Sequence, residues 1–369
     1  PRPELAAVCG ERHQVPRWGC EISSTHSEGE VITIIAIGID LAKNVFAVHG
    51  VNEGGKAVLV RPTVKRDALL EMVAKLPPCL IGMEACSGAH YWAREFAKFG
   101  HDVRIIAAKF VAPYRLSGRR GKNDAADAQA ICEAVQRPHM RFVPVKSEDA
   151  QARLAIHRVR QGFVEQRTAT INRIRGLLSE YGHVLPQKGE VVRREAGRCL
   201  EDLPGWANTA IGDLLSEVHR LDERIAEYDH HIAVMAQADE RCRRLMGMPG
   251  IGEKTATALM ASIDNGHDFK CGRQLAAWLG LVPGQYSSGG KQRLGRITKA
   301  GDSYLRMLLI LGARSVVVAA KKKADRLSRW VTELVNRRGY WKAVVAVAAK
   351  NARMAWAMLS KGEAFEPIS

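Results

Sequence analysis

Residues 31–51 read VITIIAIGIDLAKNVFAVHGV. The run Val31–Asp40 is rich in β-branched residues and almost unbroken in apolar character until it ends on a carboxylate, which reads as a buried strand. After a short turn, Val45–Val51 reads as a second strand. The turn Asn52-Glu53-Gly54-Gly55 then leads into a third, Ala57–Thr63, so three strands meander by hairpins.

Outward from that stretch the pattern changes period. A helix is expected near Lys65–Lys75, a strand over Leu80–Glu84, and a helix near His90–Phe99 stopped by Gly100. A strand Val103–Ala107 and a helix from about Asn123 to Val135 follow. The order β-β-β-α-β-α-β-α predicts a mixed sheet covered by helices, the order of a ribonuclease-H-like fold. An all-parallel dinucleotide-binding sheet is excluded, because no G-x-G-x-x-G follows the first strand.

The reading gives four segments. Residues 1–30 form a flexible N-terminal extension; its Cys9, His13, Cys20 and His26 have no finger-like spacing. Residues 31–146 form the α/β domain. Residues 147–240 form a helical coiled-coil arm. Within it Leu214, Val218, Leu221, Ile225, Tyr228, Ile232 and Met235 make an apolar seam three heptads long. The seam serves a helical hairpin or dimerisation equally well. The earlier arm helix carries Arg153, Arg158, Arg160, Arg167, Arg173 and Arg175, a candidate basic face. Residues 241–369 form a mainly helical domain with a Gly-rich interruption at 280–301.

Composition narrows the partner. In 369 residues, 55 Lys and Arg stand against 39 Asp and Glu, a net charge of +16 that calls for a polyanion. A membrane is not expected: the most apolar run, Tyr304–Ala320, contains Arg306 and Arg314 and falls short of the ~20 residues of a spanning helix. The eight cysteines form no C-x-x-C pair, which suits a reducing cytosol. A cytoplasmic, nucleoid-associated nucleic-acid protein is expected.

Three constellations carry chemistry. Asp40 and Glu84 end predicted neighbouring strands, and Asp124 and Asp127 share a face at a helix start. Converging carboxylates repel, and a divalent cation relieves them; hard oxygen ligands suit Mg²⁺ or Mn²⁺. Taken singly, Asp124 reads equally well as a helix cap and Asp127 as a first-turn carboxylate. The stretch MGMPGIGEKTATALMASI, residues 246–263, resembles a helix-hairpin-helix, in which Gly250 and Gly252 let backbone amides approach a phosphate with Lys254 beside them. The loop GLVPGQYSSGGKQRLGRITKAGDSYLR, residues 280–306, sets Ser287 and Ser288 among glycines and the cations Lys291, Arg293, Arg296, Lys299 and Arg306. A serine there attacks phosphorus or merely donates a hydrogen bond to a phosphate; the residues alone do not choose.

GIDLAKN, MEACSG, GRRGKNDAADA, the PGIG turn and YSSGGKQRLGRITKAGDSYLR together resemble the DEDD-type transposases of insertion sequences that move with a guiding bridge RNA. The resemblance runs from about Ile34 to Gly312. It implies a RuvC-like domain bearing Asp40, Glu84, Asp124 and Asp127, a coiled-coil arm, and a C-terminal transposase domain. The family's serine precedes Gly, which points to Ser288, attacking DNA to form a covalent phosphoserine with Mg²⁺ assistance. The implied partners are donor and target DNA, a guide RNA and further copies of the chain, as a dimer or tetramer whose subunits share an active site. The alternative is a RuvC-like metal-dependent endonuclease using activated water, with Ser288 only a phosphate contact.

Overall fold

The computed structural model describes residues 33–115 and 123–366. The N-terminal extension, its Cys9, His13, Cys20 and His26, and the GRRGK portion of GRRGKNDAADA lie outside the described residues. The chain divides into two compact units, one of Pro1–Cys86 with Glu95–Arg141, the other of Ser87–Arg94 with Phe142–Ser369.

The first unit holds five strands: β1 (Ala36–Asp40), β2 (Val45–Val51), β3 (Ala57–Lys65), β4 (Leu80–Glu84) and β5 (Asp102–Ile106). They lie in the order β3-β2-β1-β4-β5. The β1–β2 and β2–β3 pairs are antiparallel, whereas β1–β4 and β4–β5 are parallel. This mixed sheet agrees with a ribonuclease-H-like arrangement. Its helices are α1 (Arg66–Ala74), part of α2 (Ala89–Ala97), whose residues up to Arg94 count with the second unit, α3 (Ala108–Val111) and α4 (Asp124–Val135), with a 3₁₀ turn at Ala112–Tyr114. β1 starts five residues later than expected from its β-branched run. The four-residue α3 is too short to leave a periodic signal in sequence.

Two glycines decide where α4 sits. Gly38 and Gly82 are register partners on the parallel strands β1 and β4. A Cβ on Gly38 would stand 2.1 Å from the Ala128 carbonyl oxygen and 2.3 Å from the Cys132 nitrogen; one on Gly82 would meet Val135 Cβ at 2.7 Å. The pair makes a trough into which the α4 backbone settles. Strand period two then places Asp40 and Glu84 on the same sheet face as those glycines, the face α4 covers.

The second unit opens with a two-residue strand, β6 (Phe142–Val143), and the long helix α5 (Glu148–Glu180), capped by the Ser147 hydroxyl accepting from Ala150 N. A short helix α6 (Gly189–Glu195) and a 3₁₀ stretch Ala196–Asp202 lead to α7 (Gly205–Ala238). Arg153 pairs with Asp239, Arg160 with Asp229, and Arg167 with Asp222, an ascending series against a descending one, so α5 and α7 run antiparallel. Val218, Leu221, Ile225 and Ile232 of the seam are buried within this chain. The expected basic face is largely consumed. Arg153, Arg160 and Arg167 bind aspartates, and Arg175 donates to the Pro186 and Gln187 carbonyls, which leaves Arg158 and Arg173 exposed.

The rest of this unit is α8 (Glu240–Met246), α9 (Glu253–Ile263), α10 (Gly272–Trp278), the hairpin strands β7 (Pro283–Gln285) and β8 (Leu294–Ile297), α11 (Ser303–Ala320), α12 (Arg326–Arg338) and α13 (Tyr340–Lys361). The apolar helix α11 passes the length and composition test for crossing a membrane. Its Leu305, Leu309, Ala313 and Val317 nevertheless belong to an extensive buried cluster, with α9 and α13 residues. A Cβ on Gly312 would lie 1.8 Å from the Gly250 carbonyl oxygen, so the PGIG turn is seated directly on α11. At the junction of arm and helical core, buried His157 meets Tyr304 Oη and Thr257 Oγ1, each at 3.0 Å.

Two outcomes follow from this packing. Gly38→Ala forces α4 off the sheet and lowers stability by at least ~1–3 kcal/mol, read as a lower urea midpoint. Burial, then Arg160 and Lys254, hold the His157 pKa down at about 4, below its ordinary 6.5. His157 therefore stabilises the fold fully above about pH 6.5. That contribution, about 3 kcal/mol, is lost as pH falls toward 4, because the unfolded chain takes up the proton first. His90, also held at about 4 by burial and neighbouring cations, loses stability over the same window. His157→Gln makes the acid limb of the stability–pH curve shallower.

Candidate active site

Asp40 closes β1 and Glu84 closes β4, adjacent parallel strands whose carboxyl ends lie together. Cys86 reports on that edge. Its thiol is pushed above its ordinary pKa by burial, then by the fields of Asp40 and Glu84, and it approaches the Leu41 carbonyl at 4.0 Å.

The helix start contributes unequally. Asn123, not Asp124, is the N-cap of α4, its side chain accepting from Ala126 N at 2.7 Å. Asp124 is exposed, whereas Asp127 is buried, with 6% of its side chain accessible. The sequence reading missed the group that meets it. The Arg115 guanidinium lies 2.5 Å from Asp127 Oδ1 and 3.5 Å from Glu84 Oε2, bridging the two acids. The one sequence signal was its place just before a basic run and the DAADA acids.

The donor set is all hard oxygen, the chemistry of a divalent cation. Asp127 Oδ1 is buried and, beside its ion pair with the Arg115 guanidinium, receives no hydrogen bond of regular geometry. In donor chemistry these residues fit a metal. Among the described residues, however, no three His, Cys, Asp or Glu side chains are grouped closely enough to hold one. The arginine stands as the local counter-charge.

The second unit carries the serine loop on the β7–β8 hairpin, a strand pair that periodicity in a Gly-rich stretch does not announce. Gly289 and Gly290 turn it with φ of 56° and 75°, in the left-handed region that glycine enters freely. The two serines differ. Ser287 Oγ accepts from Gln285 Nε2 at 2.9 Å and from Arg293 N at 3.4 Å, so it braces the hairpin. Ser288 uses its backbone, its carbonyl accepting from Lys291 N at 3.1 Å, and its hydroxyl has no partner among the described residues. Lys291, Arg293 and Arg296 are exposed, and none is in an ion pair among the described residues. Arg306 is different: it donates to the Leu279 and Ala300 carbonyls at 3.0 and 2.8 Å and ties the loop base to α11.

The PGIG turn is present between α8 and α9, with Gly252 exposed at the start of α9. Gly250, at φ 83°, packs on α11, and the Pro249 carbonyl accepts from Asn351 Nδ2 at 2.9 Å. Lys254, expected to face a phosphate, is bound 3.0 Å from Asp229, which Arg160 also contacts. The half-buried aspartate needs both cations to offset its desolvation.

Residues 37–183 match the DEDD transposase family of the IS110 type, and residues 242–329 match the family described as transposase IS116/IS110/IS902. A probable family 20 transposase of Pseudomonas aeruginosa is 46% identical over 336 residues, 90% of this chain and 98% of that one. The transposase for insertion sequence element IS1111A of Coxiella burnetii is 41% identical over 340 residues, 89% of this chain and 90% of its own. That for IS1328 of Yersinia enterocolitica is 38% identical over 333 residues, covering 90% and 98%.

Arg115→Gln leaves Asp127 as a buried charge without a counter-ion. In metal-free buffer it lowers stability by roughly 2–3 kcal/mol, less than a fully buried pair because Arg115 is a quarter exposed. A divalent cation recovers part of the loss, measured as a larger ligand-induced rise in melting temperature than the wild type shows.

Proposed function

The chain belongs to the IS116/IS110/IS902 family of insertion-sequence transposases, whose members catalyse DNA cleavage and strand transfer, and we propose that it does so with Ser288 as nucleophile and a guide RNA choosing the DNA. The observation that carries this reading is the hairpin. Ser288 presents an unengaged hydroxyl at a glycine turn among exposed Lys291, Arg293 and Arg296, while Ser287 is spent on holding the turn.

Those three cations grip the phosphate and offset the charge that grows on its oxygens as the transition state forms. Ser288 Oγ bonds to phosphorus as the bond from phosphorus to a deoxyribose oxygen breaks, and the serine proton ends on that departing oxygen. Rejoining reverses the exchange: a strand-end hydroxyl displaces Ser288, which recovers a proton.

A DEDD domain implies a divalent metal, and Mg²⁺ suits the oxygen donors of Asp40, Glu84, Asp124 and Asp127. When bound it supplies Lewis-acid stabilisation of phosphate oxygens. In this reading the carboxylates of one subunit serve the serine of another, so the working species is a dimer or tetramer. Gly252, at the exposed start of α9, and Gly250 beside it add backbone grip on the nucleic acid in a helix-hairpin-helix manner. Lys254, held by Asp229, is left to the arm. The chain acts in the cytoplasm, on the nucleoid.

The test combines purified protein, RNA transcribed from the element's flank, matching labelled DNA and Mg²⁺, resolved on denaturing gels. Wild type and Ser287→Ala yield DNA covalently attached to protein; Ser288→Ala yields none. Cleavage without any adduct, still abolished by Asp40→Ala, would assign the reaction to activated water instead.

A further inference from the structure

The helices α11 and α13 pack on each other and share an unusual composition. Neither the 18 residues of α11 nor the 22 of α13 include a single Asp or Glu. The acids flanking α11, Asp302 and Asp325, are occupied in capping α11 and α12. Between α11 and the start of α13 lies a groove of about 700 Å³, lined by Leu311, Arg314, Ser315, Val318, Lys322 and Tyr340. Its apolar side chains face water: Leu311 is 46% exposed and Val318 60%. Trp341, at the first turn of α13, is 64% exposed, with the Arg314 guanidinium over its ring at 5.7 Å.

An exposed indole with a cation on its face, an apolar floor and cationic rims, with no carboxylate among the described lining residues, have one natural complement. The partner is a polyanion that also offers flat apolar faces. We propose that this groove binds an unpaired stretch of a nucleic-acid strand, with a base stacked on Trp341 and the flanking phosphates held by Arg314 and Lys322. The proposal rests on the nucleic-acid function above and extends it to a strand-binding surface distinct from the serine hairpin. A duplex does not answer to the same surface. Its base faces are already stacked, so it would use the cations and leave Trp341, Leu311 and Val318 with nothing to cover them.

The experiment uses the full chain and fluorescence anisotropy with a labelled 20-nucleotide DNA strand, the same sequence as RNA, and the corresponding DNA duplex. Trp341→Ala is expected to weaken binding of the single strands ~10-fold, the loss of one stacked base, and to change duplex binding less than about twofold. Trp341→Phe keeps most of the affinity. Arg314→Gln shallows the salt dependence for the strands by about one phosphate contact. The DNA and RNA arms show which strand is preferred. Equal losses for strand and duplex, or no loss for either, overturn the proposal while leaving the transposase reading intact. A wild-type oligomer that Trp341→Ala dissociates in sedimentation gives the face to a second copy and overturns it as well. If the wild type binds neither strand nor duplex, the underlying nucleic-acid reading falls with it.

Discussion

The close approach of α4 to the sheet governs the first unit. Two register-paired glycines, Gly38 and Gly82, remove the Cβ atoms that would hold the helix away, and Cys132 and Val135 fill the space against the strands. The α4 backbone consequently runs over the strand face that also carries Asp40 and Glu84. The helix start then brings Asp127 within ion-pair reach of Arg115, which contacts Glu84 too. Glu84 and Asp127, distant in sequence, are thereby brought to one arginine by a feature that has no side chain of its own. The geometry of this acidic edge is a packing problem before it is an electrostatic one.

Much of this was legible in the chain. Strands 45–51 and 80–84 and the helix ending at Val135 coincide with the hydrophobic pattern, because these two strands are largely buried and read as nearly continuous apolar runs. What escaped reading was contextual. Nothing local tells that Arg160 and Arg167 turn inward to aspartates about sixty residues later, or that Lys254 belongs to Asp229. A basic helix face looks the same in sequence whether it faces solvent or its own partner. Arg115 was missed for the same reason: a lone arginine becomes meaningful only once its neighbours are known.

The serine hairpin shows the opposite limit. Two adjacent serines are chemically identical in sequence, and their bonding separates them: the Ser287 hydroxyl is engaged within the hairpin, whereas that of Ser288 has no partner among the described residues. Gln285 and the Arg293 amide claim Ser287 and so define its neighbour by exclusion. Glycines follow because the turn needs positive φ.

The arm contains a register problem and its solution. Its apolar seam repeats every seven residues, and so do Arg153, Arg160 and Arg167 on α5 and Asp222 and Asp229 on α7. A hairpin slipped by one heptad would therefore bury much the same surface and keep most of its ion pairs. Asp239 breaks the degeneracy, since it lies ten residues beyond Asp229 rather than seven. Burial works against its charge, yet hydrogen bonds from Arg241 and Arg153 hold its pKa down to about 2, and any slip would take Arg153 away and leave it only the local bonds from Arg241. A single phase error in an otherwise periodic ladder leaves the arm one alignment, and with it one length of reach.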